Sequence, residues 1–172
     1  MNNMNAPNSP EREQWKTLPD LYVRLYKDEL GYPPKDWEQL KAEPTTLPGV
    51  FRIKSIPHYA RGLSWEDEVS VMTSEEGYYP VFRAVMKRSG YSTVRLMIEK
   101  DEDRQKLIDF FTERETFLEF DGYLVALAIP KHRFEEISEY VFNEKEKGRW
   151  DSEDGFLIID DPCEEPKVDP IN

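Results

Sequence analysis

The sequence predicts an α+β fold: a β-rich N-terminal unit, a small barrel or bent sheet, joined to a C-terminal antiparallel sheet with two helices on one face. Three observations lead there. Short runs of period-two apolar alternation, such as Leu21, Val23 and Leu25 or Phe51 and Ile53, are separated by turn residues through the first half. The apolar spacing becomes helical twice in the second half, at Leu107, Ile108 and Phe111 and at Phe134, Ile137 and Val141. Between these stretches, Asp121-Gly122 sits inside an apolar run and marks a hairpin.

Residues 1–20 read as a mobile tail, because Met1 to Pro10 is rich in Asn and Pro and carries no apolar period. Leu21, Val23 and Leu25 alternate with Tyr22, Arg24 and Tyr26, the pattern of a half-buried strand, and Gly31-Tyr32-Pro33-Pro34 breaks it. Trp37, Leu40 and Ala42 begin a second strand, ended by Glu43-Pro44 and the turn chemistry of Leu47-Pro48-Gly49. Further strands follow at Phe51 and Ile53, at Val69 and Val71 beyond the Arg61-Gly62-Leu63-Ser64 loop, and at Tyr79–Met86 and Thr93–Ile98 on either side of Ser89-Gly90. Asp101, Glu102 and Asp103 stand where carboxylates favour a helix N-terminus, predicting a helix over Glu102–Arg114. Phe117–Ile129 forms a strand pair closed by Pro130, and the second helix, with Tyr140 beside its apolar face, stops at Gly148. Phe156–Ile159 supplies a last apolar strand, and residues 160–172 form an acidic tail interrupted by Pro162, Pro166 and Pro170. The β-rich unit spans 21–98 and the α+β unit 99–159, joined near Ser92–Ile98 by one strand serving both.

Charge and motif content narrow the function. The 172 residues carry 23 Lys and Arg against 35 Asp and Glu, a net charge of −12, which repels phosphate backbones and argues against nucleic acid as partner. The complementary partner is a basic protein. No apolar stretch approaches the roughly 20 residues needed to span a bilayer, and Met1–Pro19 lacks the layout of a secretory signal, which places the protein in the cytoplasm and off membranes. The single Cys163 excludes an internal disulfide, has no partners at metal-ligand spacing, and lies among carboxylates that disfavour its thiolate. Gly-x-Gly-x-x-Gly and Walker-type patterns are missing, and neither His58 nor His132 sits in a motif that would orient a base. No catalytic residue, metal ligand or cofactor is therefore assigned.

Two clusters concentrate polar and aromatic types. Arg83, Lys87, Arg88, Ser89, Ser92, Thr93 and Arg95 form a basic island in an acidic chain. With Arg83 and Arg95 on one face, Arg83, Arg88, Ser89, Ser92 and Arg95 would bind an anion or a carboxylate; otherwise the arginines pair internally with the surplus acids. The second cluster runs from Gly148 to Gly155, where Trp150 beside Asp151, Glu153 and Asp154 has the composition of an interaction hot spot, although a Trp packed on the sheet fits equally. Between Lys131 and Asn172 there are 13 Asp and Glu and 6 Lys and Arg, so more than half of the excess charge lies in the last quarter. Glu135 and Glu139 extend that acidic face.

Several stretches together are similar to a bacterial family known only as a domain of unknown function, number 4265. They are Gly31-Tyr32-Pro33-Pro34 with Trp37-Glu38, Ile56-Pro57, Ala60-Arg61-Gly62-Leu63-Ser64, Asp67-Glu68-Val69, Arg88-Ser89-Gly90-Tyr91-Ser92-Thr93-Val94-Arg95, and Gly148-Arg149-Trp150. The resemblance covers about Leu21 to Phe156, and the Arg88–Arg95 stretch is its most specific part. It implies a bacterial cytoplasmic protein and brings no activity to particular residues. By analogy with small acidic immunity proteins that neutralise delivered toxins, the expectation is a non-catalytic immunity protein. It would occlude the active cleft of a cognate basic toxin, nuclease-like or nucleotide-directed, through Trp150, Asp151, Glu153, Asp154, Glu135 and Glu139. The alternatives are an anionic-ligand site or enzyme at the Arg83, Arg88 and Arg95 island, with Asp67 or His58 as its acid or base, and an adaptor for a partner other than a toxin.

Overall fold

Alternating apolar residues in the first half close five short strands into a ring. The computed structural model describes residues 17–73, 77, 79–98 and 104–158. Strands β1 (Asp20–Arg24), β2 (Trp37–Pro44), β3 (Val50–Ile53), β4 (Glu68–Thr73) and β5 (Pro80–Lys87) pair with their neighbours as an antiparallel meander. A single parallel pair, Tyr22 with Val81, joins β1 to β5 and completes the circuit. Two register shifts between β4 and β5 supply the extra twist such a small ring needs. Its interior is Leu21, Val23, Leu25, Leu40, Ala42, Ile53 and Val69, capped by Ala60 and Leu63 from the β3–β4 connection.

The second sheet has the order β7-β8-β6-β9, built from β6 (Tyr91–Met97), β7 (Phe117–Asp121), β8 (Leu124–Pro130) and β9 (Asp151–Phe156). Helices α1 (Arg104–Thr112) and α2 (Phe134–Glu146) connect them in the sequence β-α-β-β-α-β, a ferredoxin-like arrangement of two split βαβ units. Both helices cover one face, where Leu107, Phe111, Ile137, Val141 and Trp150 pack on Val94, Leu96, Ile98, Leu118, Val125, Leu127 and Ile129. The fold is thus α+β and β-rich, as the sequence predicts. The described helices reach none of the length and apolarity needed to cross a membrane.

Three local expectations differ from the structure. Strand β6, expected to serve both units, pairs only with β8 and β9, so the ring ends at Lys87. The last strand is Asp151–Phe156, ahead of the apolar Phe156–Ile159 run, because an edge strand held by backbone pairing to β6 tolerates charged side chains. Helix α1 ends at Thr112, where Glu115, at φ 56°, takes the left-handed position that turns the chain toward β7. Of the expected N-terminal tail, residues 17–20 are described, and Asp20 of β1 already pairs with Lys41 of β2; residues 1–16, Asp101–Asp103, Ile159, Cys163 and the acidic tail lie outside the described residues.

Candidate functional site

The long β3–β4 connection lies over the face of the second sheet that the helices leave open, and ionisable side chains hold it there. Ile56 and Trp65 pack on Ala126 and Ala128, with Trp65 against Phe117 and Tyr91. Glu38, buried on β2, accepts the backbone N–H groups of His58 (2.6 Å), Tyr59 (3.1 Å) and Ala60 (2.6 Å), three donors the loop cannot satisfy itself. Thr93 Oγ1 donates to the Leu63 carbonyl at 3.0 Å and lies 2.8 Å from Ser64 Oγ.

The basic island belongs to this seam. Arg95 is 1% exposed; its Nε donates to the Pro57 carbonyl at 3.3 Å, Nη2 to the Ala60 carbonyl, and Nη1 lies 3.4 Å from Glu153 Oε1. Gly155 makes room for it, since a Cβ there would stand 3.1 Å from Arg95 Nη2 and from Thr93 Cγ2. Burial pulls the Arg95 guanidinium below its usual value, and the Glu153 and Glu38 carboxylates oppose that pull. Arg88 Nη1 donates to the Gly62 carbonyl (2.7 Å) and to Asp67 Oδ2 (3.0 Å), and its guanidinium lies 3.9 Å over Phe156. Ser89 contributes its N–H to Asp67 at 2.9 Å, and Ser92 Oγ accepts the Ile158 N–H at 2.9 Å.

The anion site expected of these residues is therefore not assembled. Arg83 is exposed on β5 of the ring while Arg95 is buried on β6 of the other sheet, so they share no face. Arg88, Ser89, Ser92 and Arg95 direct donors or acceptors to their own chain. Asp67 is fully buried, and burial raises its carboxyl above the usual range against the pull of the Ser89 N–H and Arg88. Burial also lowers His58 below the ordinary histidine value of 6.5, with its Nε2 3.2 Å from the Glu119 carbonyl.

His58 carries a pH prediction. A histidine whose folded pKa is depressed contributes stability that is present above 6.5 and lost as pH falls toward its folded value, because the unfolded chain takes up the proton first. The unfolding midpoint of the wild type falls as pH drops below 6.5, and His58→Gln flattens that part of the profile; a parallel decline in both proteins would contradict the assignment.

The acidic hot spot is also rearranged. Trp150 is 4% exposed; its Nε1 donates to the Val141 carbonyl at 3.2 Å, its ring meets Tyr140 at 5.9 Å, and Arg149 lies 4.6 Å over it. A desolvated anchor for a partner it is not. Gly148, at φ 71°, ends α2 and turns the chain so that Trp150 enters the core before β9 starts. Glu153 points into the seam, 2.9 Å from Arg61 Nη2, and accepts the Tyr32 hydroxyl at 3.4 Å. Asp151 pairs with Lys145 at 2.7 Å, which holds its carboxyl below the usual range. Asp154 stays exposed on the β9 edge strand. The six expected contacts thus do not share one surface.

Another aromatic replaces Trp150 in the exposed acidic surface. Glu135, Glu139, Phe142 and Glu146 follow at i, i+4, i+7 and i+11 of α2, one stripe opposite the buried Ile137 and Val141. Phe142 is 60% exposed at its centre, and Glu135, Glu139 and Glu146 have no ion-pair partner among the described residues. The helical period was readable in the sequence; the signal missed was that Phe142 falls on the charged side of that wheel. Among the described residues no three His, Cys, Asp or Glu side chains group as metal ligands.

A groove of about 410 Å³ opens between the β1–β2 loop and the β7–β8 hairpin, lined by Leu30, Tyr32, Tyr59, Met97, Asp121 and Tyr123 among others. Leu30 and Tyr123 are 94% and 67% exposed beside it.

Comparisons place the chain in a family of this architecture. A family model described as Domain of unknown function (DUF4265) matches residues 38–152, and the chain belongs to that family. The match spans the seam from Glu38 through Arg95, together with both helices and the start of β9. A solved structure described as a novel crystal structure of a hypothetical protein from Neisseria gonorrhoeae is similar at a TM-score of 0.67 and 20% identity, over 83% of this chain and 97% of that one. That likeness is one of fold. No curated protein matches the sequence.

Proposed function

We propose that this is a non-catalytic binding protein of the bacterial cytoplasm that neutralises a cationic toxin, nuclease-like or nucleotide-directed, by covering its active cleft. The observation that carries the reading is the outer stripe of α2, where three carboxylates without ion-pair partners among the described residues share a face with the exposed Phe142. A cleft that binds phosphates is lined by Lys and Arg, and carboxylates at helical spacing present the charge such a cleft accepts. Phe142 supplies the apolar contact that carbon-rich Lys and Arg stems pack against. Asp154 on the β9 edge adds negative charge to the surface.

The anionic-ligand alternative has less support, because Arg88, Ser89 and Arg95 direct donors to Asp67, Glu153 or main-chain carbonyls, and Ser92 Oγ accepts the Ile158 N–H. An adaptor for a different cationic partner would use the same acidic stripe, so the partner's activity separates the two. The test is recovery of the partner from host lysate at low salt on tagged protein, followed by titration of that partner's activity. The reading predicts a cationic enzyme whose activity disappears at one equivalent. A partner that keeps full activity would favour the adaptor, and turnover of an anionic metabolite lost in Arg88→Ala would overturn the proposal.

A further inference from the structure

We propose that the groove between the β1–β2 loop and the β7–β8 hairpin seats a lysine or arginine side chain of the cationic protein partner. Its walls combine tyrosine faces with a carboxylate, the chemistry that attracts an ammonium or guanidinium on an apolar stem. Tyr32 and Tyr59 stand 6.3 Å apart at 56°, and Asp121 Oδ2 accepts the Tyr59 hydroxyl at 3.4 Å. Leu30, Met97 and Tyr123 form the exposed apolar part of the rim.

The chain already shows how this seat takes a cation. The Lys35 ammonium lies 5.1 Å over the Tyr59 ring and 3.6 Å from Asp121 Oδ2. Lys35 and Asp121 are both about half exposed, so the pair is a weak surface contact that an incoming side chain can replace. Negative charge also borders the groove: after burial, the Glu153 charge raises the Tyr32 hydroxyl, opposed by Arg95 and Arg61, and the Asp121 charge raises that of Tyr59. Asp121 is the charged group in the groove lining itself, and its carboxylate complements a cationic side chain.

This inference rests on the reading that the partner is a cationic protein, and it adds a second anchoring point apart from α2. The probes are three capped peptides, Gly-Leu-Xaa-Leu-Gly with Lys, Arg or norleucine at the centre, observed through the Met97 methyl resonance, with the Met72 and Met86 methyls as controls. The Lys and Arg peptides shift Met97 at millimolar concentration and the norleucine peptide does not. Lys35→Ala removes the internal competitor and tightens the Lys peptide roughly two- to fivefold, while Asp121→Asn weakens it by a similar factor. Equal shifts with norleucine, no shift at Met97, or unchanged affinity in Lys35→Ala would overturn the inference. Charge reversal on α2 leaves these peptide shifts unaltered. If the peptides fail while partner binding still depends on α2, only the groove assignment falls; if they bind but no cationic partner exists, the functional reading falls instead.

Discussion

Arg95→Met lowers the free energy of unfolding by about 2–5 kcal/mol, because two buried carbonyls lose their donor at about 1–3 kcal/mol each and the part-buried contact with Glu153 is broken. Methionine keeps an apolar stem of similar reach and removes every donor. The Pro57 and Ala60 carbonyls then lose their partner beneath the β3–β4 connection, and Glu153 retains only Arg61 and Tyr32. Buried acceptors without donors are the costly half of any hydrogen bond, and Arg95 satisfies two of them at once. Those residual contacts of Glu153 place the loss toward the lower end of the range. Arg83→Met, on the exposed side of β5, changes stability by no more than about 0.5 kcal/mol. Denaturant unfolding of both variants against the wild type measures the difference. Equal stability of Arg95→Met and wild type would mean that the guanidinium does not lock the loop to the second sheet.

The second large effect concerns binding. Reversing Glu135, Glu139 and Glu146 to Lys slows association with the cationic partner by roughly 10- to 10³-fold, because steering by opposite charge is lost and replaced by repulsion. Phe142→Ala acts differently: it speeds dissociation and costs about 1–2 kcal/mol of affinity, as truncation of an exposed aromatic anchor does. None of these side chains packs in the core, so each change leaves stability within about 0.5 kcal/mol. Surface plasmon resonance separates the two effects as rates. Fast association retained by the triple variant would place the contact elsewhere on the molecule.

Periodicity made most elements legible: the alternation at Leu21–Leu25, the helical spacing at Phe134–Val141 and the Asp121-Gly122 turn each correspond to an observed element. Pairing order was not legible in the same way. On β6, Val94 and Leu96 face the helices while Thr93 and Arg95 face the β3–β4 connection, and both faces are buried because each is covered by a different part of the chain. Nothing local to Arg95 announces that burial, since its carbonyl partners at Pro57 and Ala60 lie more than 30 residues away. The same holds for Glu38, whose role depends on a loop conformation set by tertiary packing. Trp150 shows the reverse limit: a charged neighbourhood in sequence marks composition, whereas the turn at Gly148 decides which way the ring points.

The family match adds physical sense to the stretches that carried the resemblance. Ile56-Pro57, Ala60–Ser64, Asp67 and Arg88–Arg95 are the segments that build the seam between the ring and the second sheet, through Glu38, Arg95 and the Asp67–Arg88 pair. Those motifs set architecture, which leaves the exposed stripe on α2 and the tyrosine groove as the surfaces of the proposed partner contacts.

The most direct measurement is the association rate of the partner with wild type and with the Glu135→Lys, Glu139→Lys, Glu146→Lys variant across ionic strength. The account predicts a wild-type rate that falls steeply as salt rises, and a variant that is slow at low salt and gains nothing from dilution. Identical rates for both proteins, independent of salt, would contradict it.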